Sequence, residues 1–519
     1  MRIFSPSLTL SLFLLSTTSN AQVSFGGRPL GHSHPETLPP THIVRMPSVD
    51  AAALIAEDEA RIAQGIKGPW RFGFNHMVDL GLENSGAWHE LGNGDRVWRL
   101  SIECPGAYSI NFEFHDYVIP EGAQVFVYND EEFLGSFDQR SNPGETVLGV
   151  TQLAGDRITI EYIEPADVNG SGSLRVGQVT HAYRNVLGKM RGLGDSGSCN
   201  NNVICPVGDE WRDQIRSVAM MTVGGSGFCT GQLINNCAND GTPYFLTANH
   251  CISGTTSTWV YRFNWESPQC NVNQNGPTNQ TVSGSSIKET SAATDVALLE
   301  LNTIPPASYD VFYSGWDISA TPPTSSTAIH HPSGDIKKIS FDEQAALSAS
   351  FGGASCWRIA SWEDGTTEPG SSGSGLWNQD GLLVGQLYGG QASCQNNVND
   401  YYGRFDLSYP LLEDWLGDCG NELQGFPFST SINAVDAMLD LEIHPNPASG
   451  IIIVQLPAAA VGDFVINIHD ATGRIVHQRP MASGNSSITM DLHHLPEGIY
   501  VLELKGTASR AIERLVLTH

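Results

Sequence analysis

The chain has 519 residues, with 27 Lys and Arg against 55 Asp and Glu, a formal net charge of −28 and 10 cysteines. At ~150 residues per domain it holds about three domains. So acidic a chain lacks the basic surface that neutralises phosphates, which excludes a nucleic-acid binder.

The predicted elements follow in chain order. Met1-Arg2, the apolar run Leu8–Leu15 and the small residues Ser19-Asn20-Ala21 form a secretory signal over residues 1–21. That apolar run is too short to span the ~30 Å of a bilayer core. An exported chain meets an oxidising environment, so disulfides are expected. Cys104 stands alone in the N-terminal third, the other cysteines lie between Cys199 and Cys419, and none follows. Gln22–Met46 is rich in Pro, His and Gly, and Val49–Gln64 has apolar residues at roughly helical spacing. From Gly68 to Glu164, short alternating runs such as Val97–Ile102, Gln124–Tyr128 and Ile158–Ile163 are broken by turns such as Pro120-Glu121-Gly122. That pattern predicts a small β-sandwich. Asn169–Ser173 and the basic run Arg184–Arg191 close this block. A cysteine-rich, β-patterned block spans 192–420, a polar linker 421–438, and a last run of short strands 439–519.

Three segments carry chemistry. In Glu368-Pro369-Gly370-Ser371-Ser372-Gly373-Ser374-Gly375, the glycines allow a tight turn that exposes a hydroxyl. Ser372 is then the candidate nucleophile, and the N–H groups of Gly370 and Ser372 the candidate oxyanion hole. In Phe245–Cys251 an apolar strand leads into His250, the base that a serine needs at neutral pH. In Thr294–Leu301, Asp295 opens an apolar strand, where a buried carboxylate requires a partner such as an imidazole N–H. Singly, each has an ordinary explanation: a Gly/Ser loop, a surface or core histidine, a turn-capping aspartate. Their order and contexts together describe a serine peptidase. The His-Glu-x-x-His signature of a zinc peptidase is absent, and no metal or cofactor is expected. The pairs His330-His331 and His493-His494 are read as structural.

Those motifs, with Ser196–Cys199, Cys205-Pro206, Cys229-Thr230-Gly231, Ile329–Pro332, Thr367–Ser374 and Tyr402-Gly403-Arg404, resemble the bacterial lysyl endopeptidases over about Ser196–Trp415. The resemblance implies an all-β, chymotrypsin-like pair of six-stranded barrels with His250, Asp295 and Ser372 between them. It implies Asp400 as the acid that receives a basic side chain. It places Tyr388 and Phe351 beside the pocket, where the family has a histidine and a tryptophan. It also implies the disulfides Cys199–Cys394, Cys205–Cys270 and Cys229–Cys251. Cys237, Cys356 and Cys419 are left over, with the pair among them open. Ser371 stands where pancreatic-type enzymes keep the aspartate of their activation switch. Residues 22–191 are therefore read as a prosegment that assists folding or blocks the site, with Lys189 and Arg191 as self-processing points.

The last block has a second resemblance. His444-Pro445-Asn446-Pro447, Asp470–Arg474 and Leu495–Tyr500 resemble a type IX secretion sorting domain. The implied protein is a secreted or surface-bound monomer that cuts proteins and peptides after lysine, or also arginine, and engages the type IX machinery. The alternatives are an inactive surface-binding protein on a protease fold, and an endopeptidase with another primary specificity.

Overall fold

A computed structural model describes residues 23–33, 38–66, 68–188, 196–271, 274–427, 437–438, 442–455, 464–469, 475–481, 487–505 and 509–518. The signal segment, Lys189 and Arg191 lie outside the described residues. The chain divides into two compact units, Met1–Phe428 and Ser429–His519.

The first unit begins with the block read as a prosegment. Its helix, Ala51–Ala63, starts where Asp50 accepts a hydrogen bond from the Ala53 N–H at 3.1 Å, an N-cap that satisfies one otherwise orphaned donor. Two sheets follow. One has Arg96–Glu103 and Arg157–Glu164 at its centre, and the other has Ser173–Ala182 between Gly73–Gly81 and Ser109–Val118. Trp98, Leu100 and Ile160 from the first sheet and Phe112, Phe114 and Val179 from the second close one core. The alternating pattern marks most of these strands, but Ser173–Ala182, central to the second sheet, lies beyond the Gly68–Glu164 range it predicts.

The remainder of the unit is built on two larger sheets. The first runs in the order Thr281–Ser283, Val260–Phe263, Val218–Val223, Gly227–Leu233, Tyr244–Ala248, Val296–Leu301 and Ser285–Ser291. The second has Ser326–His330, Gly375–Asn378, Leu383–Gly390, Val398–Arg404 and Ala354–Ser361 in sequence across its middle. Short edge pieces such as Asn201–Asn202 and Trp316–Asp317 raise the second sheet to 10 strands, more than the six expected. The first sheet reaches 8 strands because Trp70–Arg71, from the N-terminal block, pairs with Gly227–Phe228. The helix Phe405–Leu416 packs Phe405, Leu412 and Leu416 against Leu246, Leu298 and Trp316.

Four disulfides are formed: Cys199–Cys394, Cys205–Cys270, Cys229–Cys251 and Cys237–Cys419. The last resolves the pair left open by the sequence. It joins residues 182 apart, tying the end of the Phe405–Leu416 helix to the Asn235–Cys237 segment.

The second unit is a small two-sheet structure. Gly498–Lys505 lies between Phe464–His469 and Ser509–Leu517 in one sheet, and Ile451–Gln455 lies between Glu442–His444 and Ser487–Asp491 in the other. Ile452, Val454 and Met490 meet Ile466, Leu502 and Leu515 in a common core.

Cys104 and Cys356 remain free and buried, and burial pushes each thiol up to about 12. Thiol titration of the uncut chain is therefore expected to read two groups after denaturation without reductant, and almost none in the native state. A denatured count of zero would contradict this pairing.

Candidate active site

The strand Tyr244–Ala248 ends in a single tight turn, Asn249–Cys251, which carries His250. The Cys229–Cys251 disulfide ties that turn to the neighbouring strand. Asp295 precedes the strand Val296–Leu301 with a left-handed φ of 53°. This conformation is uncommon outside glycine, though Asp and Asn tolerate it best. Here it turns one residue toward the histidine three ways. The Asn249 N–H donates to the Asp295 carbonyl at 2.9 Å, the His250 N–H donates to Oδ1 at 2.9 Å, and His250 Nδ1 lies 2.7 Å from Oδ2. The buried carboxylate thus holds both the ring and the backbone of His250. Nδ1 is committed as the donor, so the neutral ring presents Nε2 as an acceptor. Nε2 is buried and has no hydrogen-bond partner among the described residues.

Ser372 comes from the second sheet, on the turn before Gly375–Asn378. Its position is fixed from the first sheet by Thr230. The Thr230 N–H donates to the Ser372 carbonyl at 2.8 Å, and Thr230 Oγ1 donates to the Gly370 carbonyl at 2.9 Å. Gly370 and Gly373 have φ of 101° and 84°. A Cβ on Gly373 would lie 2.2 Å from Thr247 Oγ1 and 2.4 Å from the Thr230 carbonyl, so only glycine lets the two sheets approach here.

Ser371, the residue before Ser372, is held by a group that motif reading misses. His330 Nδ1 lies 2.8 Å from Ser371 Oγ, and His330 Nε2 lies 3.1 Å from Ser340 Oγ. No charge is needed where the pancreatic type uses an ion pair. His331 instead faces the Asp335 carbonyl through Nδ1 at 2.9 Å and stacks on Trp265. The His330-His331 pair is structural in its packing, as read, but His330 supports the serine turn directly.

Asp400 is 1% exposed on the strand Val398–Arg404. Its Oδ2 accepts from Trp362 Nε1 at 2.8 Å and from Thr367 Oγ1 at 2.6 Å. Both Asp400 and Ser372 line one cavity of about 590 Å³. Gly390 beside it leaves no room for a side chain, since its Cβ would sit 2.2 Å from Asp400 Oδ1. Thr366, just upstream of the serine turn, is fully buried and carries no charge.

Tyr388 and Phe351 are not among the residues that line the cavity with Asp400. Tyr388 stacks on the His250 ring at 5.5 Å and 28°. Phe351 meets Tyr388 edge-on at 5.3 Å and stacks on Tyr401 at 4.4 Å. Phe351 thus links the Tyr388 ring, stacked on His250, to that of Tyr401. The cavity with Asp400 is lined instead by Leu387 and Gly389 from the same strand as Tyr388. It is also lined by Ile66, Gly68 and Trp70 of the N-terminal block, which no motif in the sequence announces as part of this site.

A histidine–carboxylate pair on one β sheet, and a serine turn of a second that Thr230 ties to it, accord with a serine endopeptidase of the chymotrypsin-like type. A family profile described as "Lysyl endopeptidase, C-terminal domain" matches residues 193–403. The lysyl endopeptidase of Pseudomonas aeruginosa is 30% identical over 366 residues, covering 63% of this chain and 77% of that protein. The chain belongs to the lysyl endopeptidase family. A profile described as "Secretion system C-terminal sorting domain" matches residues 442–518, so the protein is exported by type IX secretion to the cell surface or beyond. Among solved structures, a human heparin binding protein matches at 16% identity and a TM-score of 0.30, covering 40% of this chain and 94% of its own. A serine endoprotease from Yersinia pestis matches at 13% and 0.28, covering 59% and 94%.

Burial lowers the His330 pKa to about 3 and pushes His331 down as well. An unfolded histidine titrates near ~6.5, so below that pH the unfolded chain binds protons that the folded chain refuses. The stability from these neutral histidines is complete above ~6.5 and is lost as pH falls toward the folded values. Thermal midpoints of the protein are expected to fall between about pH 7 and about pH 4, and less steeply in His330→Gln. An identical slope in the variant would assign the acid sensitivity to other groups.

Proposed function

We propose that this protein hydrolyses peptide bonds after lysine, and less readily after arginine, through His250, Asp295 and Ser372. The observation that carries this reading is a buried carboxylate, Asp400, on the wall of the cavity that also reaches Ser372. Trp362 and Thr367 hold this carboxylate in place, and a cationic side chain that enters the cavity adds a charge-assisted partner to it. The name of the Pseudomonas aeruginosa relative supports lysine as the main choice.

In this mechanism Ser372 Oγ attacks the carbonyl carbon after the basic residue. His250 Nε2 takes the hydroxyl proton, and the Asp295 carboxylate stabilises the imidazolium while holding its orientation. The N–H groups of Gly370 and Ser372 receive the developing oxyanion. Collapse transfers the proton from His250 to the leaving amine and leaves an acyl ester on Ser372, which water then hydrolyses by the same groups. Residues 22–191 act as a prosegment, residues 192–420 as the enzyme, and residues 439–519 as the sorting unit. Self-processing after Lys189 or Arg191 separates the first two.

Ser372→Ala is expected to lower kcat by about 10⁵-fold or more while leaving the thermal midpoint nearly unchanged. Retained turnover would remove Ser372 from the mechanism. Asp400→Asn is expected to cost roughly 2 kcal/mol or more in kcat/KM for lysyl substrates, since it leaves the substrate ammonium without its partner. Unchanged lysine preference would move the specificity determinant elsewhere.

A further inference from the structure

Asp295 keeps a left-handed φ of 53° although it is not a glycine. Such a conformation persists only where the surrounding bonds over-determine it. Two of those bonds come from the histidine turn: the Asn249 N–H donates to the Asp295 carbonyl, and the His250 N–H donates to Oδ1. Others come from the second sheet. Gln386, fully buried on the strand Leu383–Gly390, turns its amide toward Thr294-Asp295. Its Nε2 donates to the Thr294 carbonyl at 2.8 Å and to the Asp295 carbonyl at 3.2 Å. In an extended strand successive peptide groups face opposite ways, so one amide cannot meet two consecutive carbonyls. The left-handed turn brings both to one side. The Gln386 amide therefore fits this turn and not an extended alternative.

The surroundings are shaped for that contact. Gly403 lies opposite Gln386 on the neighbouring strand Val398–Arg404. A Cβ there would overlap both the Thr294 carbonyl and the Gln386 amide, so glycine leaves the space in which the two meet. Ser408 Oγ, from the helix Phe405–Leu416, lies 2.7 Å from Thr294 Oγ1, and the Ser355 N–H donates to the Ala293 carbonyl at 2.9 Å. Gln386 Oε1 is buried and has no hydrogen-bond partner among the described residues, so the amide is anchored by its donor end. Thr294 is buried as well, and without the amide its carbonyl would lose a hydrogen bond away from solvent.

We propose that Gln386 is a positioning residue for the hydrolysis: its amide locks Asp295 in the left-handed turn, and through Asp295 it sets the aim of His250 Nε2. This rests on the reading of His250, Asp295 and Ser372 as the catalytic groups. The line of contact is short. Gln386 holds the two carbonyls, the turn places the carboxylate, and the carboxylate holds His250 through Oδ1 and Oδ2 at 2.9 and 2.7 Å. A base aimed slightly off its proton transfers it less well. Gln386 does not line the cavity with Asp400 and Ser372, so its loss lowers turnover rather than substrate binding.

The test is a double-mutant cycle read as kcat and KM on a lysyl p-nitroanilide. Each full-length variant is processed by wild-type enzyme fixed to beads, which are then filtered off. Gln386→Met keeps a similar side-chain length but has no donor. With Asp295 present it is expected to lower kcat about 30-fold and to leave KM within about twofold. With Asp295→Ala, which already releases the histidine, it is expected to change kcat by less than about twofold, because the two residues act as one unit. Gln386→Glu, neutral where it is buried, keeps one donor and is expected to recover part of the loss. The same cycle is run with Gln386→Glu if the methionine variant does not accumulate. A kcat unchanged by the loss of the donor, an equal loss in both Asp295 backgrounds, or a rise in KM that accounts for the loss would overturn the proposal. Wild-type turnover in Asp295→Ala alone would overturn the catalytic reading itself, and this inference with it.

Discussion

Thr230 is the point on which the site depends. It sits on a strand of the first sheet, yet its N–H and hydroxyl donate to the carbonyls of Ser372 and Gly370, on the turn from the second. Its own carbonyl accepts from Thr247 Oγ1 at 2.8 Å, one residue before the strand end that leads to His250. One residue therefore ties the serine turn to the strand that delivers the histidine. The absence of a side chain at Gly373 is the necessary counterpart, because any Cβ would enter the space these bonds occupy. From the second sheet, the Gln386 amide donates to the Thr294 and Asp295 carbonyls at 2.8 and 3.2 Å, and Tyr388 stacks on His250.

The site separates its charges by function. Asp295 holds the ring and backbone of His250, and Asp400 is held by Trp362 and Thr367 on the wall of the cavity that also reaches Ser372. Ser371 is held by the neutral His330, so the serine turn is formed without an ammonium arriving from a new N-terminus. The N-terminal block packs against the protease sheets. It shares a core with the protease sheets through Trp70, Phe72, Phe228 and Trp265, and its Thr151 and Gln152 side chains accept from the fully buried Arg262 at 2.8 and 2.6 Å.

The local settings of the three candidate residues are legible in the sequence: a strand end before a cysteine for His250, an acid opening an apolar strand for Asp295, a serine between glycines for Ser372. The sandwich pattern and most strands of the last block were legible for the same local reason, since alternation survives in a single segment. What the sequence withheld is long-range. The Cys237–Cys419 pair depends on how the Phe405–Leu416 helix returns to the first sheet. The support of Ser371 by His330 joins residues 41 apart, and Trp70–Arg71 reaches the first protease sheet by pairing with the distant Gly227–Phe228. Tyr388 and Phe351 show the same limit. The stacking of Tyr388 on His250, and the edge-on contact of Phe351 with Tyr388, depend on strand pairing that no motif encodes.

The central claim is that a cavity walled by Asp400 selects the residue whose carbonyl Ser372 attacks. The most direct measurement is a cleavage-site profile of the self-processed enzyme on a denatured mixture of proteins, reading the new C-terminal residue of every product. The account predicts termini that are overwhelmingly lysine, with arginine as the minor class. Termini spread over apolar or acidic residues would contradict it.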